Sequence, residues 1–183
     1  MGSIDDRIAS ELLPRKTRFV VGETLANLVW KGTPAVKKLD WTVDRTKFID
    51  SQLDEFIEET INCASKRQVV LIGSGYDTRS LRYAESSIDF YEIDIPEVIS
   101  KKSVLTRQYL DKSASSASVR FVPLDLNEVL TKNKNIVQVL EAEGFQSDLP
   151  TMVISEAVLF YLIPEAVQKL ISDQTQRISI LYY

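Results

Sequence analysis

An α/β fold with a mostly parallel sheet is what this sequence predicts, and three observations predict it. Short apolar runs rich in β-branched residues alternate with stretches of helical spacing. The first clear run, Val69-Val70-Leu71-Ile72, feeds into Gly73-Ser74-Gly75 and then into a helix-like stretch. Acidic residues stand at the ends of the later runs, on the side where open α/β sheets take ligands.

Residues 1–40 lack a clean period and are punctuated by Pro14, Gly22, Gly32 and Pro34. Short helices are expected at 3–13 and 23–30, the second with an apolar face of Leu25, Leu28, Val29 and Trp30. Residues 1–43 are therefore assigned to an N-terminal helical cap and 44–183 to the α/β domain. Residues 44–64 read as an amphipathic helix. Phe48, Ile49, Leu53, Phe56, Ile57 and Ile61 recur at helical spacing, and Asp44 is its expected N-cap. Strands are predicted at 68–73, 88–94, 119–123 and 152–155. Helices fall between them at 78–84, 96–110, 126–143 and 164–175. That alternation means a parallel sheet with helices on both faces. Residues 113–118, all Ser or Ala, form a short loop of low complexity. The chain closes on Ile178-Ser179-Ile180-Leu181-Tyr182-Tyr183, which has strand character. A hydrophobic strand flush with a terminus is an aggregation-prone edge, so the sequence reads as an incomplete or shortened form of a longer protein.

The 183 residues can bury a core, and contents of 44% hydrophobic and 26% charged residues fit a soluble globular chain. A net charge of −4 disfavours nonspecific binding to nucleic acid or anionic membrane. Cys63 is the single cysteine, so no internal disulfide forms. Neither a membrane-spanning run nor a signal peptide is evident. Met1-Gly2 could begin a myristoylation signal, but Asp6 stands where Ser or Thr is required. A cytoplasmic location is the resulting expectation. There is no histidine, which removes His-based triads, imidazole bases and most zinc sites. No metal is expected.

Two glycines at a strand end let a ligand approach the backbone, because no Cβ intervenes. Asp94 ends the run Phe90-Tyr91-Glu92-Ile93-Asp94, at the spacing beyond the glycines where an acid takes both ribose hydroxyls of a nucleoside. It would otherwise be a solvated strand-end acid or a helix cap. Asp125 and Leu126 follow the third run. A carboxylate there can accept from an adenine amino group and a backbone N–H can donate to a ring nitrogen, although Asp125 is equally a natural N-cap. Glu156 is a lone acid between apolar stretches, expensive to bury unpaired. It suits the ammonium of an amino-acid moiety, or else pairs with Arg79 or Arg82. Arg45, at the start of the long helix, has the planar fork that suits a carboxylate, or is a surface arginine.

A dinucleotide enzyme would want a third glycine where Thr78 stands, and Asp77 puts negative charge where a pyrophosphate would sit. A positively charged, phosphate-free cofactor fits better, and S-adenosylmethionine is one. At this point GSGYDTRSLRY, FYEIDIPEVISKK, VPLDL and SEAVLFYLIPEAV resemble, in order, motifs of the leucine carboxyl methyltransferase family. The resemblance covers about residues 44–171, and Arg45-Thr46-Lys47-Phe48-Ile49-Asp50 resembles the family's helix before the first strand. It implies a Rossmann-like class I methyltransferase sheet of strand order 3-2-1-4-5-7-6, here without its last two strands. It also implies S-adenosyl-L-methionine as cofactor. Arg45 would hold the methionine carboxylate, Gly73 and Gly75 would lie under the cofactor, and Asp94 would take the ribose. Asp125 and Leu126 would flank the adenine, and Glu156 would sit near the methionine end, facing the reaction centre as the catalytic candidate. Asp77 and Arg79 would belong to the motif or brace the loop as an ion pair. The N-terminal Arg15-Lys16-Thr17-Arg18-Phe19 only loosely resembles the entry region of the phosphatase-methylating members.

The implied activity is O-methyl transfer to a small molecule or to a protein carboxyl terminus, a phosphatase catalytic subunit among the candidates. A carboxylate acceptor is ionised at neutral pH and needs no base, which accords with the missing histidine. Two rivals stand beside this reading: a relative that binds the cofactor without turnover, and a dinucleotide oxidoreductase. Asp94→Ala is expected to weaken cofactor binding, and Gly73→Val to abolish it with the fold retained.

Overall fold

The computed structural model describes residues 8–9, 34–62, 66–84, 87–113, 118–132, 135–173 and 179–182. Five strands form one all-parallel sheet in the order β3-β2-β1-β4-β5. They are β1 (Arg67–Ile72), β2 (Ile88–Asp94), β3 (Ser118–Pro123), β4 (Thr151–Ser155) and β5 (Ser179–Tyr182). These are the first five positions of the expected order, and each strand lies within one residue of its predicted place. The central strand β1 is buried along its whole length, as a parallel strand covered on both faces must be. Its Gln68 escapes an unpaired burial. The amide donates to the Gln146 carbonyl at 2.8 Å and to Thr151 Oγ1 at 3.1 Å, while Oε1 accepts from the Gln146 N–H at 2.9 Å.

Alternation along β1 builds two cores. Val69 and Leu71 join Phe90, Met152 and Ile154 under the helix α1 (Pro34–Thr60), whose Ile49, Leu53 and Phe56 supply one apolar stripe. Val70 and Ile72 join Tyr91, Ile93 and Val153 on the other face, beneath α4 (Leu126–Thr131), α5 (Ile136–Ala142) and α6 (Pro164–Asp173). Two further helices, α2 (Arg79–Arg82) and α3 (Pro96–Ser113), follow β1 and β2. Each fully buried aliphatic side chain in these layers contributes about 1.5–3 kcal/mol.

Three expectations are corrected. Asp44 is not an N-cap: α1 begins at Pro34 and runs through it, because proline's fixed φ and missing N–H suit the first turn of a helix. The helix therefore crosses the boundary placed between residues 43 and 44. Phe48 and Ile61, expected on its apolar face, are exposed. The single helix expected at 126–143 is two helices. Asn135 starts the second by accepting from the Val137 N–H through its side chain. Of the helices expected at 3–13 and 23–30, only Ile8 and Ala9 fall among the described residues, and both are helical.

Candidate functional site

Every candidate residue except Arg45 lies at a carboxyl end of β1, β2, β3 or β4. The loop after β1 needs its glycines for different reasons. Gly73 has φ +65°, and an added Cβ would lie 2.3 Å from Val158 Cγ2 and 2.5 Å from Val158 Cβ. The third residue after β4 thus presses on the glycine. Gly75 has φ +45°, but a Cβ there would meet nothing closer than the Gly73 carbonyl at 4.0 Å. It faces open space in the cleft. Gly75→Ala should therefore cost the fold only about 1–2 kcal/mol for the left-handed backbone while placing a methyl group in the ligand space. Thermal unfolding and a ligand titration, read side by side, would separate the two effects.

Asp94 closes the loop from β2. Its Oδ2 accepts from the Gly75 N–H at 2.7 Å and its Oδ1 from the Ile95 N–H at 2.8 Å. Each oxygen keeps a second acceptor site, enough for two hydroxyls. From here a cleft of about 430 Å³ opens over the glycines, walled by Ile95, Val98, Leu124, Leu126, Val158 and Leu162. Asp125 realises its alternative role as N-cap, its Oδ1 accepting from the Asn127 and Glu128 N–H groups at 2.9 and 3.4 Å. Leu126 is the first helical residue, so its N–H has no intrahelical partner. Asn127, which sequence reasoning passed over, pins the far wall. Its Nδ2 donates to the Tyr161 carbonyl at 3.4 Å, and its Oδ1 accepts from the Ile163 N–H at 3.0 Å.

On the other side of Gly73 and Gly75 lies a charged compartment of about 300 Å³. Arg79, 2% exposed, is its hub: Nε donates to Asp50 Oδ1 at 2.7 Å, and Nη1 to Asp77 Oδ2 at 2.5 Å and Glu156 Oε2 at 2.8 Å. Arg82 donates to both oxygens of Asp50, at 2.7 and 3.0 Å. Burial opposes the charge on Asp50, but its bonds and proximity to Arg82 and Arg79 win and hold its carboxyl below the usual range. Burial opposes the charge on Arg79, but the carboxylates of Asp77, Asp50 and Glu156 raise it above the ordinary arginine value. The Asp77–Arg79 brace read as an alternative from sequence is therefore present. Glu156 pairs with Arg79, as its alternative reading held, and also with Arg45, whose Nε lies 2.8 Å from Oε1. The guanidinium of Arg45 stacks 4.8 Å above the Trp41 ring.

The two residues expected to hold opposite ends of an amino acid thus hold each other, one acid and one cation at the mouth of the same cavity. Sequence reasoning did not foresee that pairing, because the partners lie 111 residues apart. Ala157, next to Glu156, has φ +56°, an uncommon conformation for a residue with a Cβ and one that clusters at functional sites. Asp50 and Val158 went unassigned as well. The acid sits on the stripe boundary of α1, where charge is ordinary, and Val158 looks like any apolar residue after a strand.

The profile of the family described as leucine carboxyl methyltransferase matches residues 2–175. A protein of Mycobacteroides abscessus, named as a candidate S-adenosyl-L-methionine-dependent methyltransferase, is 34% identical over 156 residues, covering 84% of this chain and 47% of that protein. A similarly named protein of Mycobacterium avium is 32% identical over 182 residues, covering 95% of this chain and 56% of its own length. The crystal structure of TehB from Haemophilus influenzae overlaps 69% of this chain and 37% of its own at a TM-score of 0.43 and 16% identity. The chain spans about half the length of the curated relatives it matches. With the family profile matching nearly end to end, this chain belongs to the leucine carboxyl methyltransferase family.

Proposed function

We propose that this chain is the S-adenosylmethionine-binding unit of an O-methyltransferase whose acceptor is a carboxyl group. The observation that carries the reading is the division of one crevice by Gly73 and Gly75. An apolar compartment edged by Asp94 and Asp125 lies on one side, and a compartment holding Arg45 and Glu156 on the other. A nucleoside joined to a zwitterionic amino acid needs both. The open space above Gly75 fits a ligand laid across the loop. A diphosphate is disfavoured, because Asp77 places its charge at the head of α2.

In this reading Asp94 accepts from the ribose hydroxyls with its remaining lone pairs. Leu126 offers its N–H and Asp125 its second oxygen to the adenine. Arg45 takes the amino-acid carboxylate and Glu156 the ammonium, so that the pair they now form is exchanged for two pairs with the ligand. When bound, S-adenosylmethionine supplies an electrophilic methyl group on a sulfonium. The chain's own contribution is orientation and exclusion of water, and an ionised carboxylate acceptor asks for no base. The acceptor is a small molecule or a protein carboxyl terminus, including that of a phosphatase catalytic subunit. Neither a nucleic acid nor a membrane is a partner, and the cytosol is the site of action. No helix among the described residues is long and apolar enough to cross a membrane.

Calorimetry with S-adenosylhomocysteine tests binding. Asp94→Ala is expected to weaken it by about 1–3 kcal/mol, the worth of hydrogen bonds to a charged acceptor. An affinity for S-adenosylhomocysteine no better than that for NAD would end the proposal. Transfer of label to a peptide ending in leucine, or to small carboxylic acids, tests turnover separately from binding. Binding without transfer to any carboxyl acceptor would support the rival reading, a relative that holds the cofactor and does no chemistry.

A further inference from the structure

Glu92 and Lys102 touch neither compartment of the cleft, yet both are sealed from solvent, at 0% and 1% exposure. Lys102 Nζ lies 2.5 Å from Glu92 Oε2, and the Ser80 hydroxyl donates to Oε1 at 2.5 Å. A buried ion pair is a poor way to join a helix to a strand, because well-packed apolar residues of similar volume do so at least as well. What an apolar pair lacks is a donor. Lys102 Nζ also donates to the Ser74 carbonyl at 3.3 Å.

That carbonyl belongs to the same peptide unit as the Gly75 N–H, which donates to Asp94. The peptide plane is rigid, with its C=O and N–H pointing in opposite directions. Gripping both ends fixes its rotation: Asp94 on β2 holds the N–H, while the carbonyl is shared between the Asp77 N–H at 2.8 Å, within the loop itself, and Lys102, the grip that Glu92 ties to β2. A further bond, from the Ser74 N–H to the Ile93 carbonyl at 2.9 Å, comes from the residue between Glu92 and Asp94.

We propose that Glu92 and Lys102 are positioning residues. They hold the Ser74–Gly75 peptide so that the loop stays open to the ligand and Asp94 stays aimed at it, and neither touches the ligand. The consequence for affinity rests on the cofactor reading above, and the consequence for the loop does not. Lys102→Met alone strands a buried carboxylate, so the informative variant is the neutral double Glu92→Gln/Lys102→Met. Two readouts are needed on the full chain: exchange of the Gly75 amide without ligand, and the dissociation constant for S-adenosylhomocysteine. The double variant should melt close to the parent, exchange Gly75 about tenfold faster and bind about tenfold more weakly. Leu140→Ala, a core change on α5, should lower the melting temperature and leave both readouts unmoved. Unchanged exchange and affinity in a folded double variant would overturn the proposal. So would parallel changes in Leu140→Ala, which would mean that the pair acts only through stability. If the parent fails to bind, the cofactor reading falls and the exchange rate alone decides.

Discussion

Arg79→Leu should be the most damaging single substitution in the charged compartment, costing about 3–5 kcal/mol of stability by chemical denaturation. The guanidinium is sealed in and serves carboxylates from α1, the glycine loop and the strand end after β4. Its removal leaves three acids sharing Arg45 and Arg82. Domains are stable by only about 5–15 kcal/mol, so the loss is a large share of the whole. The exposed Lys132–Glu128 pair is the control, since truncating it should change almost nothing. The variant should also respond less to acid. Asp50 has a folded pKa below its unfolded value, so it stabilises the parent above pH about 4 and ceases to as pH falls through the folded value. Without Arg79 that depression shrinks, and the variant's acid limb is flatter than the parent's. Equal denaturation midpoints for parent and variant would show that the compartment's charges are solvated rather than structural.

Gly73→Ala should do more harm than one methyl group suggests. Left-handed backbone costs about 1–2 kcal/mol for a residue with a Cβ, and overpacking against Val158 adds about 1–3 kcal/mol. Sequence reasoning expected Gly73→Val to remove binding and spare the fold. The contact with Val158 Cβ revises that: the new atom meets a stem that no rotamer change can move aside. Both stability and affinity should fall. Adding Val158→Gly should recover the steric part and leave the backbone part, so the double-mutant cycle should give a favourable coupling. Strict additivity would mean that the loop relaxes by moving elsewhere. Gly75→Ala is the contrast, since its cost should appear mainly in the ligand titration.

Strands were readable because a covered parallel strand is a short unbroken apolar run, and β1 shows that pattern between a polar start and a glycine. Helix ends were less readable. Sequence reasoning took the helical spacing of α1 from residue 48 onward and overlooked Val36, Leu39 and Val43, which recur at i, i+3 and i+7, so the first turns, opened by Pro34, went unread. Between α4 and α5 the sequence is polar from Thr131 to Asn135, with no apolar residue to carry the helical spacing, so the boundary was legible and sequence reasoning ran through it. The acids at strand ends were legible as candidates because their type and distance from the glycines are local facts. Their partners were legible only in part: Arg79 was one of two candidates for Glu156, and Arg45 was not among them. Which arginine meets Glu156, and which side chain lies against Gly73, is settled by strands brought together from distant parts of the chain. Glu92 was read as part of a strand, and its burial with Lys102 had no local signature beyond a charge inside an apolar run.

The position of β1 at the middle of the sheet has a consequence for synthesis on the ribosome. One flank of β1 can pair with β2 soon after emergence, but the other waits for Thr151–Ser155, with Gln68 bonding to Thr151 across 83 residues. Parallel pairings over such separations carry a high closure entropy and form slowly. Val158, which seats against the glycine turn, comes later still. A nascent chain shorter than that therefore exposes one side of its central strand, and a holdase would bind there until the fourth strand arrives.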